Sequence, residues 1–438
     1  MTAAQSQPLP RPPLQPQTTR GVAALLPLYF VVFAGFVGYS LMITVFTPML
    51  LRGDSPLIAA RDPMSKRTIL LGFLLCLYPL GQFLGSPVLG SLSDRFGRKP
   101  ILLISLSVTT VCYAFIALSL SLGSFALLAA ASIIAGLAEA NIVTAQSAIA
   151  DVSAPQDRNR LFGYIYMSVS SAYIVGPLVG GKLADPSLVH WFSYATPFWM
   201  AFALLALTGA ATALLFSETH SVADRRPVPS MRTFTNLTAV ISDTRLRRLY
   251  WLNFLFYLAI FGFFRCYPMY LVDEYHLGVS RISEFVAWVG VPIVLANLGL
   301  TSFLSKRVAI KTLAVWSGLL TGAFCVVVVV PHPMRALWVT LFLTSAALAL
   351  CLPSCATLLS NAAGTTDQGR VMGNNQALQV GAEALSGVVG GLLAAVFVKL
   401  SLIVLGAVAI LAALLLHSHR TVPPRAAGGQ QLQERLPF

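Results

Sequence analysis

The chain has 438 residues, of which 56% are hydrophobic and only 10% charged, with a formal net charge of +13. A soluble protein carries roughly a quarter charged residues, so most of this chain has no water-facing surface to cover. The basic excess does not point to nucleic acid: 20 of the 29 Lys and Arg fall on the two tails and the alternate loops on their side, the asymmetry that orients a multispan membrane protein with its basic side in the cytoplasm.

Residues 1–21 are rich in Pro and Gln and are predicted to form a disordered cytoplasmic tail. Apolar runs then recur at approximately 22–48, 69–90, 100–121, 125–149, 161–181 and 195–216. A polar, basic stretch at 218–247, containing Pro227 and Pro229, reads as a linker. Further runs follow at 248–271, 284–303, 312–331, 335–357, 371–397 and 400–417, and 418–438 is a second tail. Each run suffices to cross a hydrocarbon core about 30 Å thick. The runs lack the alternating polarity of barrel strands, so helices are expected. The fold class is therefore an all-α integral membrane protein with twelve transmembrane helices, six in 22–217 and six in 248–417, and both termini in the cytoplasm.

The two sets resemble each other. Arg160-x-x-Gly163 matches Arg370-x-x-Gly373, Ala172 matches Ala382, and Gly180-Gly181 matches Gly390-Gly391, all at one offset of 210 residues. A repeat of six spans is a transporter architecture with the substrate site between the halves. The six cysteines lie in or beside apolar runs and read as packing residues. Cys351 and Cys355 share a helical face but have no His or carboxylate beside them, so no metal site is expected. No phosphate-binding P-loop, H-E-x-x-H or G-x-S-x-G motif occurs, and neither a cofactor nor an enzymatic activity is expected.

Between the second and third spans stands Gly90-Ser-Leu-Ser-Asp94-Arg95-Phe-Gly97-Arg98-Lys99. Asp94 ends a helix and Arg98 and Lys99 begin one, placements that the helix dipole disfavours. These charges therefore need partners, and Asp151 at the end of the fourth span is a candidate for Arg95 or Arg98. The segment closely resembles the signature loop of the major facilitator superfamily, in which it is thought to latch the two halves in the outward-open state. The fifth span carries Gly163, Ala172, Gly176, Pro177, Gly180 and Gly181, small residues that allow close helix packing. This set resembles the antiporter motif of drug–proton exporters, with Ala172 where Gly is usual. The chain is most similar to the tetracycline-efflux-like group through Leu92–Arg98 and the run to Asp151. Two departures stand out. That group carries an acid in the first span, where this chain has Gly35, and often an Arg in the fourth, where it has Ser132.

Ionisable residues within a span are functional hypotheses by default. Glu139 lies deep in the fourth span, seven residues from both Ser132 and Gln146 and so on their face, with Gly136 close by. The resemblance places that face on a central cavity. A carboxyl in an apolar interior favours its neutral form, as a proton carrier requires. Glu383 in the eleventh span shares a face with Gln376 and Gln379, and either carries protons or bonds across a helix interface. Arg265 in the seventh span either meets an anionic substrate, pairs with a glutamate or reaches for the headgroups. Tyr39, Tyr166, Tyr173, Phe264, Asn297, Asn374 and Asn375 are weaker cavity candidates.

The leading expectation is a monomeric secondary transporter in a bacterial inner membrane, exporting small amphipathic or drug-like molecules in exchange for protons by alternating access. Its partners would be a small-molecule substrate, protons and the lipid bilayer. The alternatives are a transporter of an anionic metabolite or carboxylate siderophore, motivated by Arg265, and a non-transporting sensor on the same fold.

Overall fold

The computed structural model describes residues 25–53, 55–59, 61–152, 158–219, 246–330, 333–363 and 368–419. The predicted N-terminal tail, the second tail beyond residue 419 and nearly all of the predicted linker lie outside them.

The helices before residue 220 are α1 (Leu26–Leu51), α2 (Met64–Phe96), α3 (Arg98–Leu122), α4 (Phe125–Glu139), α5 (Asn141–Val152), α6 (Arg158–Leu183) and α7 (Thr196–Leu215). After residue 245 come α8 (Arg247–Tyr275), α9 (Val279–Leu295), a π-helical turn (Ala296–Leu300), α10 (Thr301–Ser305), α11 (Ile310–Val329), α12 (Met334–Ala362), α13 (Gln368–Val396) and α14 (Val398–Ser418). Eleven helical segments among the described residues are long and apolar enough to cross a membrane. The predicted span 284–303 is not among them because it is split. Pro292, which removes a backbone donor, lies just before the π turn, where Gly299 departs from helical geometry.

The spans end where local chemistry requires it. Ser124 caps α4 by accepting from the Leu127 N–H at 3.3 Å. Gly97, at φ 104°, makes the turn between α2 and α3, a conformation that favours glycine. The fourth span, predicted as one helix, is broken at Ala140 (ψ 3°), so that Glu139 ends α4 and α5 resumes at Asn141. No Pro or Gly marks this break. Glu139 and Gln146 consequently do not share one unbroken helical face.

The end of the molecule that carries the 90–99 loop is called the loop end below, and the opposite end the far end. At the far end the helices before residue 220 pack directly on those after 245. A Cβ at Gly72 of α2 would lie 2.5 Å from Gly387 O and 2.7 Å from Gly391 Cα of α13. Gly181 of α6 abuts Ser283 of α9 in the same way. Lys182 Nζ then bonds Glu284 and Ser280, each at 2.9 Å, and Arg281 holds the second Glu284 oxygen at 3.0 Å. Toward the loop end, Gly163 and Gly373 have no described atom within 4 Å of a Cβ position. The repeat is thus visible in packing: the matched pair Gly181 and Gly391 is buried in helix contacts, and the matched pair Gly163 and Gly373 has none among the described residues.

Candidate functional site

Glu139 is positioned by the crossing of α2 and α4. Gly81, Gly85 and Gly136 remove the side chains that would hold these helices apart: a Cβ at Gly81 would lie 2.8 Å from Leu137 N, and one at Gly136 3.0 Å from Tyr78 Cα. The end of α4 is thereby pressed inward and Glu139 is 6% exposed. Its Oε1 occupies the place that a side chain at Gly35 of α1 would take. Tyr78 and Tyr113 are its ionisable neighbours. Glu139 Oε2 has no hydrogen-bond partner among the described residues, and neither do the Asn141 Nδ2 and Thr144 Oγ1 atoms just past the break. Buried polar atoms are paired in the large majority of cases.

Arg265 and Glu383 form a second centre. Arg265 is 1% exposed. Its Nη2 donates to Tyr39 Oη at 2.8 Å and to Leu75 O at 3.4 Å, and lies 3.6 Å from Glu383 Oε1. Tyr39 Oη in turn donates to Glu383 Oε1. Arg265 therefore pairs with a glutamate and does not reach the headgroups. Tyr39 sits on α1 and its two partners on α8 and α13, so this triad joins the two sets of helices. Tyr39 also stacks on Tyr78, with ring centroids 4.9 Å apart and an interplanar angle of 19°, and meets Tyr173 edge-on at 6.5 Å. The order Glu139, Tyr78, Tyr39, Glu383 with Arg265 thus connects both intramembrane acids.

The remaining predicted residues are dispersed. Ser132 is fully buried and spends its hydroxyl on Leu128 O of its own helix at 2.8 Å. Gln146 is half-buried on α5. Tyr166 is 57% exposed and Phe264 half-buried. Asn375 lies in a separate buried network with Asn253 and Tyr257. Asn374 Nδ2 has no partner among the described residues, and the Asn297 side chain lies outside them. In α6, Ala172 O accepts from Ser40 Oγ at 3.4 Å, Gly176 abuts Ser40, Gly180 abuts Leu41, and Pro177 lies between. These small residues seat α6 against α1 and α9.

The 90–99 loop is an ion-pair cluster among the helices before residue 220. Arg98 Nε donates to Asp151 Oδ2 at 2.9 Å, and its Nη1 donates to Asp94 Oδ1 at 2.6 Å and Ser93 Oγ at 2.7 Å. Arg95 lies over the Phe96 ring instead. The backbone N–H groups of Arg98 and Lys99, at the start of α3, donate to Glu218 at 2.9 and 3.0 Å. Lys99 Nζ reaches Ala213 O at 2.8 Å. A Cβ at Gly90 would meet Val143 Cγ1 at 3.7 Å, an ordinary van der Waals contact. The anion that a helix N-terminus prefers is therefore Glu218, which sequence reading misses. Its signal is an acid just after an apolar run, on the side of the membrane where the 90–99 loop emerges.

The sequence model of the family described as Major Facilitator Superfamily matches residues 25–329 and 249–438. The chain belongs to the Major Facilitator Superfamily.

Among characterised members, it is 40% identical over 168 residues to the class C tetracycline resistance protein of Escherichia coli, a match covering 38% of this chain and 40% of that one. It is 34% identical over 195 residues to the class H tetracycline resistance protein of Pasteurella multocida, covering 44% and 46%. These matches span less than half of either relative. A longer match, 25% identical over 357 residues, is to multidrug resistance protein 2 of Bacillus subtilis (strain 168), covering 78% and 82%. The fold agrees with that of the D-xylose–proton symporter, at TM-score 0.72 and 16% identity over 92% of this chain and 98% of that one. It also agrees with the human organic anion transporter MFSD10, at TM-score 0.64 and 19% identity over 90% and 99%.

Proposed function

We propose that this superfamily member is a transporter, not an enzyme, and that it exports small amphipathic or drug-like molecules in exchange for protons. The observation that carries this reading is the Glu139 carboxyl, buried against Gly35 beside Tyr78, with Oε2 lacking a hydrogen bond of good geometry among the described residues. Such a group gains or loses charge only when its surroundings admit water or a ligand, so its protonation follows the side to which the cavity opens. Exchange of a proton for substrate at that carboxyl, with rocking of the two sets of helices, gives alternating access. The tetracycline and multidrug resistance relatives support drugs as the substrate class.

In this reading the protein is a monomer in a bacterial inner membrane, with both tails and the loop end in the cytoplasm. The far end, closed by the Lys182–Glu284 pair, is then the outer face. Glu383 is a second proton site, reporting to Glu139 through the two stacked tyrosines. The test is drug accumulation in cells expressing wild type or Glu139→Gln, with and without a protonophore. The expected result is lowered accumulation of tetracycline or a cationic dye that needs both Glu139 and the proton gradient. Equal accumulation in wild-type and empty-vector cells for every drug tried would count against export.

A further inference from the structure

Arg265 is the most deeply buried cation among the described residues, and its hydrogen bonds account for only one of its three nitrogens. Nη2 takes Tyr39, Leu75 O and the approach of Glu383. Nε and Nη1, both buried, have no acceptor among the described residues. A guanidinium carries five N–H donors, and buried donors are nearly always satisfied. The other ionisable neighbours are Tyr173, Cys76 and Cys266. None of them supplies a hydrogen bond to the two bare nitrogens.

We propose that Nε and Nη1 of Arg265 form a subsite for an acidic oxygen, carboxylate or enolate, of the transported molecule, and that the preferred substrates are amphoteric. The second part follows from charge. With both acids ionised, Arg265, Glu383 and Glu139 sum to −1. A simple anion adds a further negative charge to a buried site, which is costly. A molecule that also bears a cationic group adds none, and Glu139, an acid with no basic partner among the described residues, is where that group is accommodated. Tyr39, which binds Arg265, stacks on Tyr78, the ionisable neighbour of Glu139, so aromatic rings link the two charges. Guanidinium suits this role because its planar donors match a carboxylate or enolate.

This inference deepens the export reading and rests on it for the identity of the cavity, but it is tested by binding, not flux. Purified protein in detergent would be titrated with tetracycline (amphoteric), ethidium (cationic) and salicylate (anionic). The variants are Arg265→Gln and the charge-balanced Arg265→Gln/Glu383→Gln, which keeps the test valid if the single variant folds poorly. Loss of a charge-assisted hydrogen bond predicts that the ratio of tetracycline to ethidium affinity falls by about 10- to 100-fold in both variants. Wild type should bind salicylate more weakly than tetracycline. An unchanged ratio in the double variant, or salicylate binding as tight as tetracycline, overturns the proposal. A shifted ratio without proton-dependent flux would leave the subsite standing and remove the export reading; flux with an unchanged ratio would do the reverse.

Discussion

The carboxyl of Glu139 fills the space that a side chain at Gly35 would need, so an acid delivered by the fourth span stands where the first span has none. The two positions are therefore coupled. Gly35→Ala must displace the carboxyl, the movable tip of a side chain, so its cost should fall toward the lower end of the about 1–3 kcal/mol typical of overpacking. In a Glu139→Ala background the space is vacated and the same substitution should cost almost nothing. Thermal melting of the four proteins in detergent closes the double-mutant cycle, and additive losses would mean that the two residues do not meet.

Arg98 is expected to be irreplaceable by lysine. Its guanidinium serves Asp151 through Nε and Asp94 and Ser93 through Nη1, and an ammonium on a flexible stem cannot reproduce that planar arrangement. Arg98→Ala and Arg98→Lys should both lower stability, the first by about 1.5–3 kcal/mol. Arg95→Ala should have little effect, since among the described residues Arg95 has the Phe96 ring as its partner and no carboxylate. Glu218→Ala should cost about 1 kcal/mol by uncapping α3. Melting temperatures of these variants check all four expectations.

Much of this was readable in the sequence, and the remainder has physical reasons for being hidden. Apolar run length marks the spans, because lipid admits few ways of satisfying a backbone. The loop motif nominates Asp151 as a partner because both termini of a connecting segment need counter-charges. The break at Ala140 was not readable, since no Pro or Gly marks it and it accompanies the packing of α2 against α4 through Gly81, Gly85 and Gly136. Tyr39 could be named as an aromatic near a cavity, but its bonds to Arg265 and Glu383 cross 226 and 344 residues of sequence. Glu139 and Gly35 each stood out alone, and only tertiary packing shows that they are one site.

Breaking the Arg265–Glu383 pair on one side should be more harmful than removing it. Arg265→Gln leaves the Glu383 carboxylate with Tyr39 alone, and loss of one partner of a buried pair costs about 3–5 kcal/mol. The double change Arg265→Gln/Glu383→Gln should recover most of that loss. Unfolding in mixed micelles would show it; a double variant no more stable than the worse single variant would contradict the pairing.

The far end should be held shut by glycine contacts. At Gly391 a Cβ falls 2.7 Å from Thr68 O and 2.8 Å from Gly72 Cα, backbone atoms that cannot yield as a side chain can. Gly391→Leu should therefore hold that end open and stop transport. Ser283, fully buried there, provides the reporter. A Ser283→Cys thiol should react faster with a membrane-impermeant maleimide in the Gly391→Leu background, and equal rates in both backgrounds would argue that these contacts do not gate the far end.

Glu139 is proposed to exchange a proton for substrate. The most direct measurement is drug-driven proton movement in proteoliposomes, with tetracycline added to vesicles holding a trapped pH indicator. Wild type should show proton flux opposite to the drug, and Glu139→Gln drug binding with no coupled proton flux. Proton flux of wild-type size in Glu139→Gln, or wild-type drug transport indifferent to the proton gradient, would contradict it.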